Sequence, residues 1–353
     1  MYCGKCGKKI PDGYEYCMYC GASLLTNKKP PNKFIRYLEI HKKPIMFSII
    51  SIICVIIFIY FVSPKASISS NKTFSTSGEH TVAIKNDGTV MAIGNNEAGE
   101  CNVKDWKNMI SVVAAKSSFA NGYTIGLKKD GTIMATGDNH NNQCNVGELK
   151  NIIAIDACWS NTVCLKADGT VIVLGDNSHD QCNTQNWKNI VQVASGGYVT
   201  VGLRKDGTVI STGINERGEC NTQDWENIVK IVCGFRKVYG LKSDGSIECT
   251  GMDNAKENEI ANETNIKDIS VSTGHAIAVK KDGTVITAGT NGDGWGNITG
   301  QCDVSGWNNI LYVTAGDSVS IGLKSDGTLI AAGKNDKGQC NITSWKDIRM
   351  PNS

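Results

Sequence analysis

The sequence predicts an all-β chain: a seven-bladed β-propeller over residues 74–353, preceded by a small cysteine-rich module and one apolar helix. Three observations carry this. An Asp-Gly pair followed by Thr or Ser recurs seven times, beginning at Asp87, Asp130, Asp168, Asp206, Asp244, Asp282 and Asp326, with spacings of 43, 38, 38, 38, 38 and 44 residues. Apolar residues alternate on both sides of each pair, as in Thr200-Val201-Gly202-Leu203 and Val209-Ile210-Ser211-Thr212, the period of half-buried strands. A repeat near 40 residues, rich in Gly and without a 3.6-residue period, is that of a propeller blade and not of a helical solenoid.

Within one copy, Asn189 to Asn227, the run Val191–Ala194, the two strands around Asp206-Gly207 and a segment near Cys220 give four predicted strands. Asp-Gly at the tip predicts a type I′ turn with positive φ at both central residues. The chain enters at an outer-strand segment, Lys72 to Ser77, and ends its repeats at Trp345-Lys346-Asp347-Ile348, so the N-terminal strand is predicted to complete the last blade. Five Trp residues at equivalent places (Trp106, Trp187, Trp225, Trp307 and Trp345) are predicted to pack between blades. Six equivalent Cys (Cys101, Cys144, Cys182, Cys220, Cys302 and Cys340) read as small buried apolar residues, too far apart to bridge one another. Cys158 with Cys164, or Cys233 with Cys249, are the local pairs left open as disulfides.

The stretch Glu79-His80-Thr81-Val82-Ala83-Ile84-Lys85-Asn86-Asp87-Gly88-Thr89-Val90, followed by Gly94-Asn95-Asn96-Glu97-Ala98-Gly99, resembles the repeat of the regulator-of-chromosome-condensation (RCC1) family. That family's blades run G-x-x-H-T-x-A-L-x-x-D-G-x-V-x-x-W-G-x-N-x-x-G-Q. The resemblance covers roughly Phe74 to Ile348 and implies the propeller fold. The sequence departs from it where Gln-Leu-Gly is usual, showing Gln-Cys-Asn or Glu-Cys-Asn and a later Trp, and the His persists only at His80 and His275. Guanine-nucleotide exchange on a small GTPase is the activity the resemblance offers as an alternative. The exchange surface does not transfer residue by residue.

Before the propeller, Cys3-Gly-Lys-Cys6-Gly and Cys17-Met-Tyr-Cys20-Gly form two knuckles. Four thiolates on two turns suit tetrahedral Zn²⁺, and four Cys leave no open coordination position, so the predicted ion is structural. Residues 1–26 resemble the short zinc ribbon at the N-terminus of many bacterial membrane proteins. Without metal this module has almost no core, so folding and binding are one event. Residues 27–44 are a basic linker, with Lys28, Lys29, Lys33, Arg36, Lys42 and Lys43 against Glu39. Ile45 to Val62 follows, 18 residues without a charge, about 27 Å long as a helix and enough to cross a bilayer core. It starts later than an ordinary signal peptide and no Ala-x-Ala site follows, so an uncleaved anchor is expected. Residues 63–73 read as a Ser-rich stalk.

Charge is divided between the parts. Residues 1–73 carry 11 Lys/Arg against 3 Asp/Glu (+8), and residues 74–353 carry 25 against 31 (−6), summing to +2. An acidic propeller argues against a nucleic-acid partner. Cations on one flank of the apolar run place the zinc ribbon in the cytoplasm and the propeller outside the cell membrane, and explain the basic linker as topology and anionic-lipid contact.

No catalytic constellation stands out, and the repeated Asp residues belong to turns. The expected function is a membrane-anchored, non-enzymatic module binding a protein or cell-envelope ligand; an enzyme using the propeller channel is the alternative. Three copies carry irregular segments, Lys116 to Tyr123, Met252 to Glu263 and Thr290 to Gly300, all on loops that alternate to one face. From them the candidate ligand-face residues are Phe119, Tyr123, Asn291, Asp293, Trp295 and Asn297, with Trp295 the expected hot spot.

Overall fold

The structure, a computed structural model, describes residues 2–11, 14–22, 24, 71–116, 121–252, 258–293 and 297–351. The chain divides into two units, residues 1–63 and 64–353. The apolar run 45–62, linker 27–44 and residues 63–70 of the stalk lie outside the described residues. Among the described residues no helix is long and apolar enough to cross a membrane.

In the second unit, seven antiparallel sheets follow one another, each of three consecutive strands. The blades span residues 74–94, 109–137, 152–175, 190–213, 228–251, 266–289 and 310–333. The inner strands of all seven line one central channel, with a cavity of about 160 Å³. Middle strands are buried almost throughout, as in Val199–Arg204 (VTVGLR), because neighbouring blades cover both faces.

The fourth predicted strand is absent from the described residues, and the Gln-Cys-Asn signature explains why. After the outer strand, Asn96 Oδ1 accepts the Cys101 N–H and Asn96 Nδ2 donates to Asn102 Oδ1. The same pattern joins Asn139 to Cys144 and Asn145, Asn177 to Cys182 and Asn183, Asn215 to Cys220 and Asn221, and Asn335 to Cys340 and Asn341. An Asn side chain thus takes the amide that a strand partner would take, and folds the segment into turns. The Cys residues are half-buried, and their thiols donate to backbone carbonyls, as from Cys101 Sγ to Asn95 O at 3.1 Å. Burial pushes the Cys101 and Cys144 thiols up to about 12, which keeps them protonated as donors. None of the described Cys forms a disulfide, Cys158, Cys164, Cys233 and Cys249 included.

The Asp-Gly tips also differ from expectation. Gly88 has φ 80° but Asp87 is not left-handed, so the turn is not type I′. Gly88 N donates to Lys85 O and Lys85 N to Thr89 O, a three-residue loop with Gly alone in the left-handed position. Asp87 Oδ1 accepts both the Thr89 hydroxyl (2.6 Å) and the Thr89 amide (2.9 Å), which holds its carboxyl below the usual range. The repeated Asp is a turn residue, as its sequence context implied.

The Trp residues fill a conserved gap in the blade. A Cβ at Gly126, Gly202, Gly240 or Gly322 would stand 2.5 to 2.9 Å from the ring of Trp106, Trp187, Trp225 or Trp307 respectively. Trp345 shares a core cluster with Ala83. Where the Trp is missing, the partner grows: Leu149 packs in the cluster of Cys164, and Ile260 in that of Ala278.

Ring closure runs opposite to the predicted direction. Residues Phe74–Thr76 pair with the middle strand of the first blade, not with the last blade. The C-terminal segment supplies the beginning of that same inner strand: Ile348 bridges Lys85, Asn86 N donates to Asp347 O, and Arg349 N to Ile84 O. Ile348 occupies the register of Met109, Ile152 and their equivalents. It follows a left-handed Asp347 (φ 58°) where the other blades have a left-handed Asn such as Asn108 or Asn151, a residue type that tolerates αL.

Candidate functional site

The first candidate is the cysteine centre. Cys3 N donates to Lys8 O and Gly7 N to Cys3 O; Cys17 N donates to Ala22 O and Gly21 N to Cys17 O. The two knuckles are therefore copies of one turn, and left-handed Gly7 (φ 70°) and Gly21 (φ 71°) close each. The four sulfurs lie within 4.8 Å of one another, with Cys3–Cys20 at 3.6 Å and Cys6–Cys17 at 3.5 Å. A tetrahedron of about 2.3 Å Zn–S bonds has edges of about 3.8 Å, so the set fits a Zn²⁺ ion with little movement. Burial pushes the Cys17 thiol up, but the amides of Tyr19 and Cys20 and the thiols of Cys6 and Cys20 bring it down to about 6.

The second is the propeller channel, which carries unlike titratable groups that the sequence pattern did not reveal. Lys72 Nζ lies 2.5 Å from Asp156 Oδ1, and Lys230 pairs with Asp268. These acids are also latches between neighbouring blades. Asp156 Oδ2 accepts Ser195 N at 3.1 Å, and Asp268 Oδ2 accepts Val313 N at 2.9 Å. Gln192 makes both bonds to the Ile231 backbone, while Ser75 and Ser270 accept from Ala114 N and Ala315 N. Side chains at the channel thus supply hydrogen bonds that link one blade to the next, and this pairing offsets the cost of burying them.

The two retained His residues are likewise fasteners. His80 is fully buried between Ser77 Oγ (Nδ1, 2.9 Å) and Thr124 Oγ1 (Nε2, 3.0 Å). Thr124 Oγ1 spends its proton on Glu100 O, so it accepts from His80, and the network assigns the Nε2–H tautomer. His275 repeats the arrangement with Ser272 and Ser320. Burial drives His80 down to about 3 and His275 to about 4, so both are neutral at ordinary pH.

The third is the face formed by the turns between inner and middle strands. Register places Gly94 opposite His80, and Asn95 N donates to Glu79 O, so the loops after the outer strands open on this face and the Asp-Gly turns on the other. Of the residues predicted to act there, Phe119 and Trp295 lie outside the described residues. Tyr123 is a correction: it is fully buried and its hydroxyl donates to Asn161 O at 2.7 Å, a bond to the next blade. Asn291 serves as the turn Asn of its blade, accepting from Cys302 N and donating to Asp303. Asp293 caps Asn297 through both oxygens, and Asn297 is exposed next to Ile298, which is 86% exposed.

Sequence reasoning missed an aromatic group on the same face. Trp159 stacks on Phe235 with centroids 4.9 Å apart and planes at 20°, although they belong to blades 3 and 5. Blade 4 stands between theirs in chain order, and a Cβ on its Gly197 would lie 3.5 Å from the Trp159 ring. Tyr198 completes the group, 5.5 Å from Trp159 and 6.1 Å from Phe235, with His179 at 4.6 Å. The signal available in the sequence was Trp159, a Trp outside the repeated position, beside a Gly-Gly found in no other copy at that place.

Fold and cysteine centre together define a seven-bladed β-propeller and a zinc-ribbon-like module. Residues 2–24 match the zinc-ribbon domain family, and residues 190–219 match the regulator of chromosome condensation (RCC1) repeat. No curated protein matches the sequence. Among solved structures, the chain resembles the CRINKLY WD40 ectodomain of the Arabidopsis thaliana receptor kinase ACR4, with a TM-score of 0.64 and 16% identity over 78% of this chain and 99% of that one. It also resembles the ectodomain of the Physcomitrella patens receptor kinase CR4, with a TM-score of 0.59 and 16% identity over 75% and 74%. At these identities the likeness concerns the fold.

Proposed function

We propose that this chain is a membrane-anchored, non-enzymatic binding module, whose propeller takes a protein or cell-envelope ligand outside the membrane and whose zinc ribbon is a cytoplasmic docking or assembly element. The carrying observation is the asymmetry of the propeller. Among the described residues, one face carries the repeated, self-satisfied Asp-Gly turns, and the other carries the loops after the outer strands with the Trp159 aromatic group. Loops held on a rigid scaffold are where recognition concentrates. The anchor rests on the uncharged run 45–62 and its cationic flank. An enzyme using the channel has the channel acids in its favour, but Asp156 and Asp268 are engaged by backbone amides of the adjoining blade, which counts against their serving as acid or base.

Two experiments test this. A Cys reporter at the N-terminus should be shielded from an impermeant thiol reagent in intact cells and one at Ser69 should react; the reverse pattern overturns the orientation. Capture of envelope components by residues 66–353, identified by mass spectrometry, should weaken when 291–297 is replaced by a Gly-Ser link or Trp159 by Ala; capture indifferent to both overturns the face.

A further inference from the structure

Around the channel mouth, the described inner hairpins place residues of uneven chemistry at one level. Blades 3 and 5 supply Trp159 and Phe235, which close over the glycines of blade 4. The opposite arc is polar. Asp317 accepts the Thr273 hydroxyl at 2.8 Å, and Lys116 reaches Glu79 at 2.9 Å and Asp317 at 3.7 Å. Trp159, Phe235, Thr273, Asp317 and Lys116 all line one cavity.

The aromatic arc is built under strain. Among the described residues, every left-handed non-Gly position is Asn or Asp except Trp159 (φ 51°) and Arg236 (φ 54°), and both sit in these hairpins. A bulky side chain held in that region costs stability and persists where the surroundings fix it, which is a mark of functional placement. Arg236 explains its own position, since its guanidinium bonds Glu219 at 2.6 Å and Glu216 at 3.0 Å. Trp159 is held by its ring contacts with Phe235 and Tyr198.

The polar arc selects the ligand chemistry. Two carboxylates against one ammonium leave the arc net negative, which repels an anion such as phosphate, and a small cation would have to displace the Lys116 ammonium that both carboxylates already hold. What remains is a neutral group with many hydroxyls, which accepts a hydrogen bond from Lys116 and donates to Asp317 and to the oxygen of Thr273, all of which line the cavity. The aromatic arc calls for a flat apolar face on the same molecule. A pyranose ring has both. We infer that the mouth of the propeller is a saccharide subsite, taking a neutral sugar unit between the Trp159–Phe235 wall and the Asp317–Lys116 arc. This deepens the binding role proposed above and rests on the same face.

The test uses the full-length protein in detergent micelles, with chitotetraose, cellotetraose and maltotetraose as probes, read by saturation-transfer NMR and titration calorimetry. At least one sugar should bind, and Trp159→Ala and the isosteric Asp317→Asn should each weaken it about tenfold. Thermal unfolding confirms that each variant is folded, and Asp317→Asn keeps the test alive if Trp159→Ala is not. Absence of binding by all three sugars at millimolar concentration overturns the saccharide assignment, as does binding that both variants leave unchanged. If no sugar binds while envelope capture still falls in Trp159→Ala, the ligand class is wrong and the face stands; if capture is indifferent as well, both fall.

Discussion

The pairing of Trp106, Trp187, Trp225 and Trp307 with a glycine in the following blade predicts a compensating pair of substitutions. Trp187 is nearly fully buried, and a Cβ at Gly202 would stand 2.8 Å from its Cζ3, 2.9 Å from Cε3 and 3.1 Å from Ile190 Cδ1. Gly202→Cys therefore overpacks a rigid ring, at a cost of about 1–3 kcal/mol. Trp187→Leu empties part of the same space and costs about 2–3 kcal/mol. Blade 3 already carries Leu and Cys at these positions, as Leu149 and Cys164, and Cys164 is fully buried there. The double variant should thus reproduce a natural packing and lose about 1–2 kcal/mol less than the sum of the singles. Urea and thermal unfolding of residues 64–353 measure this, each kcal/mol moving the midpoint by about 2–4 °C. Strictly additive losses would refute the argument that these two positions are one packing unit.

Other expectations follow from the same structure. The full chain should carry one Zn²⁺, released by chelator or by Cys17→Ser, with loss of the amide spectrum of residues 2–24 and none in the propeller; an unchanged spectrum without metal contradicts the centre. Acid should destabilise the propeller through His80 and His275. Their folded pKa values, about 3 and about 4, lie below the ordinary 6.5, so below pH 6.5 the unfolded chain binds protons that the folded one refuses. Stability therefore falls with acidification between about pH 6.5 and 4, by about 1.4 kcal/mol per pH unit for each His. His80→Gln should remove about half of that slope, and a slope unchanged in the variant would show that other groups govern it. Deleting residues 347–353 removes two backbone bonds to the first blade, one to the last, and the fully buried Ile348; the midpoint should drop by several degrees, and a variant as stable as the parent would exclude these bonds as the clasp.

Most of the fold was legible because it is written seven times. The Asp-Gly-Thr unit, the alternating strands and the two cysteine knuckles each rest on local chemistry that one copy suffices to read. What escaped depends on partners from other blades. Asn96 and Asn102 look like loop polars until they are seen to bond each other and the Cys101 amide in place of a strand. Tyr123 looked like a surface aromatic because its loop is irregular, yet its hydroxyl reaches a carbonyl 38 residues on. Trp159 and Phe235 are 76 residues apart by number, and no periodic pattern announces that two glycines let them touch.

The closure also carries a temporal meaning. The inner strand of the first blade is assembled from residues 348–350 and 74–76, so the earliest blade to leave the ribosome is the last to be finished. Until residue 350 has emerged, Ile84 and Lys85 lack their neighbours and the ring stays an open arc with two unsatisfied rims. A nascent propeller of this kind is vulnerable at its beginning for the whole time its repeats are being made, and translation of residues 347–350, not of any blade, is the moment at which it becomes a single cooperative body.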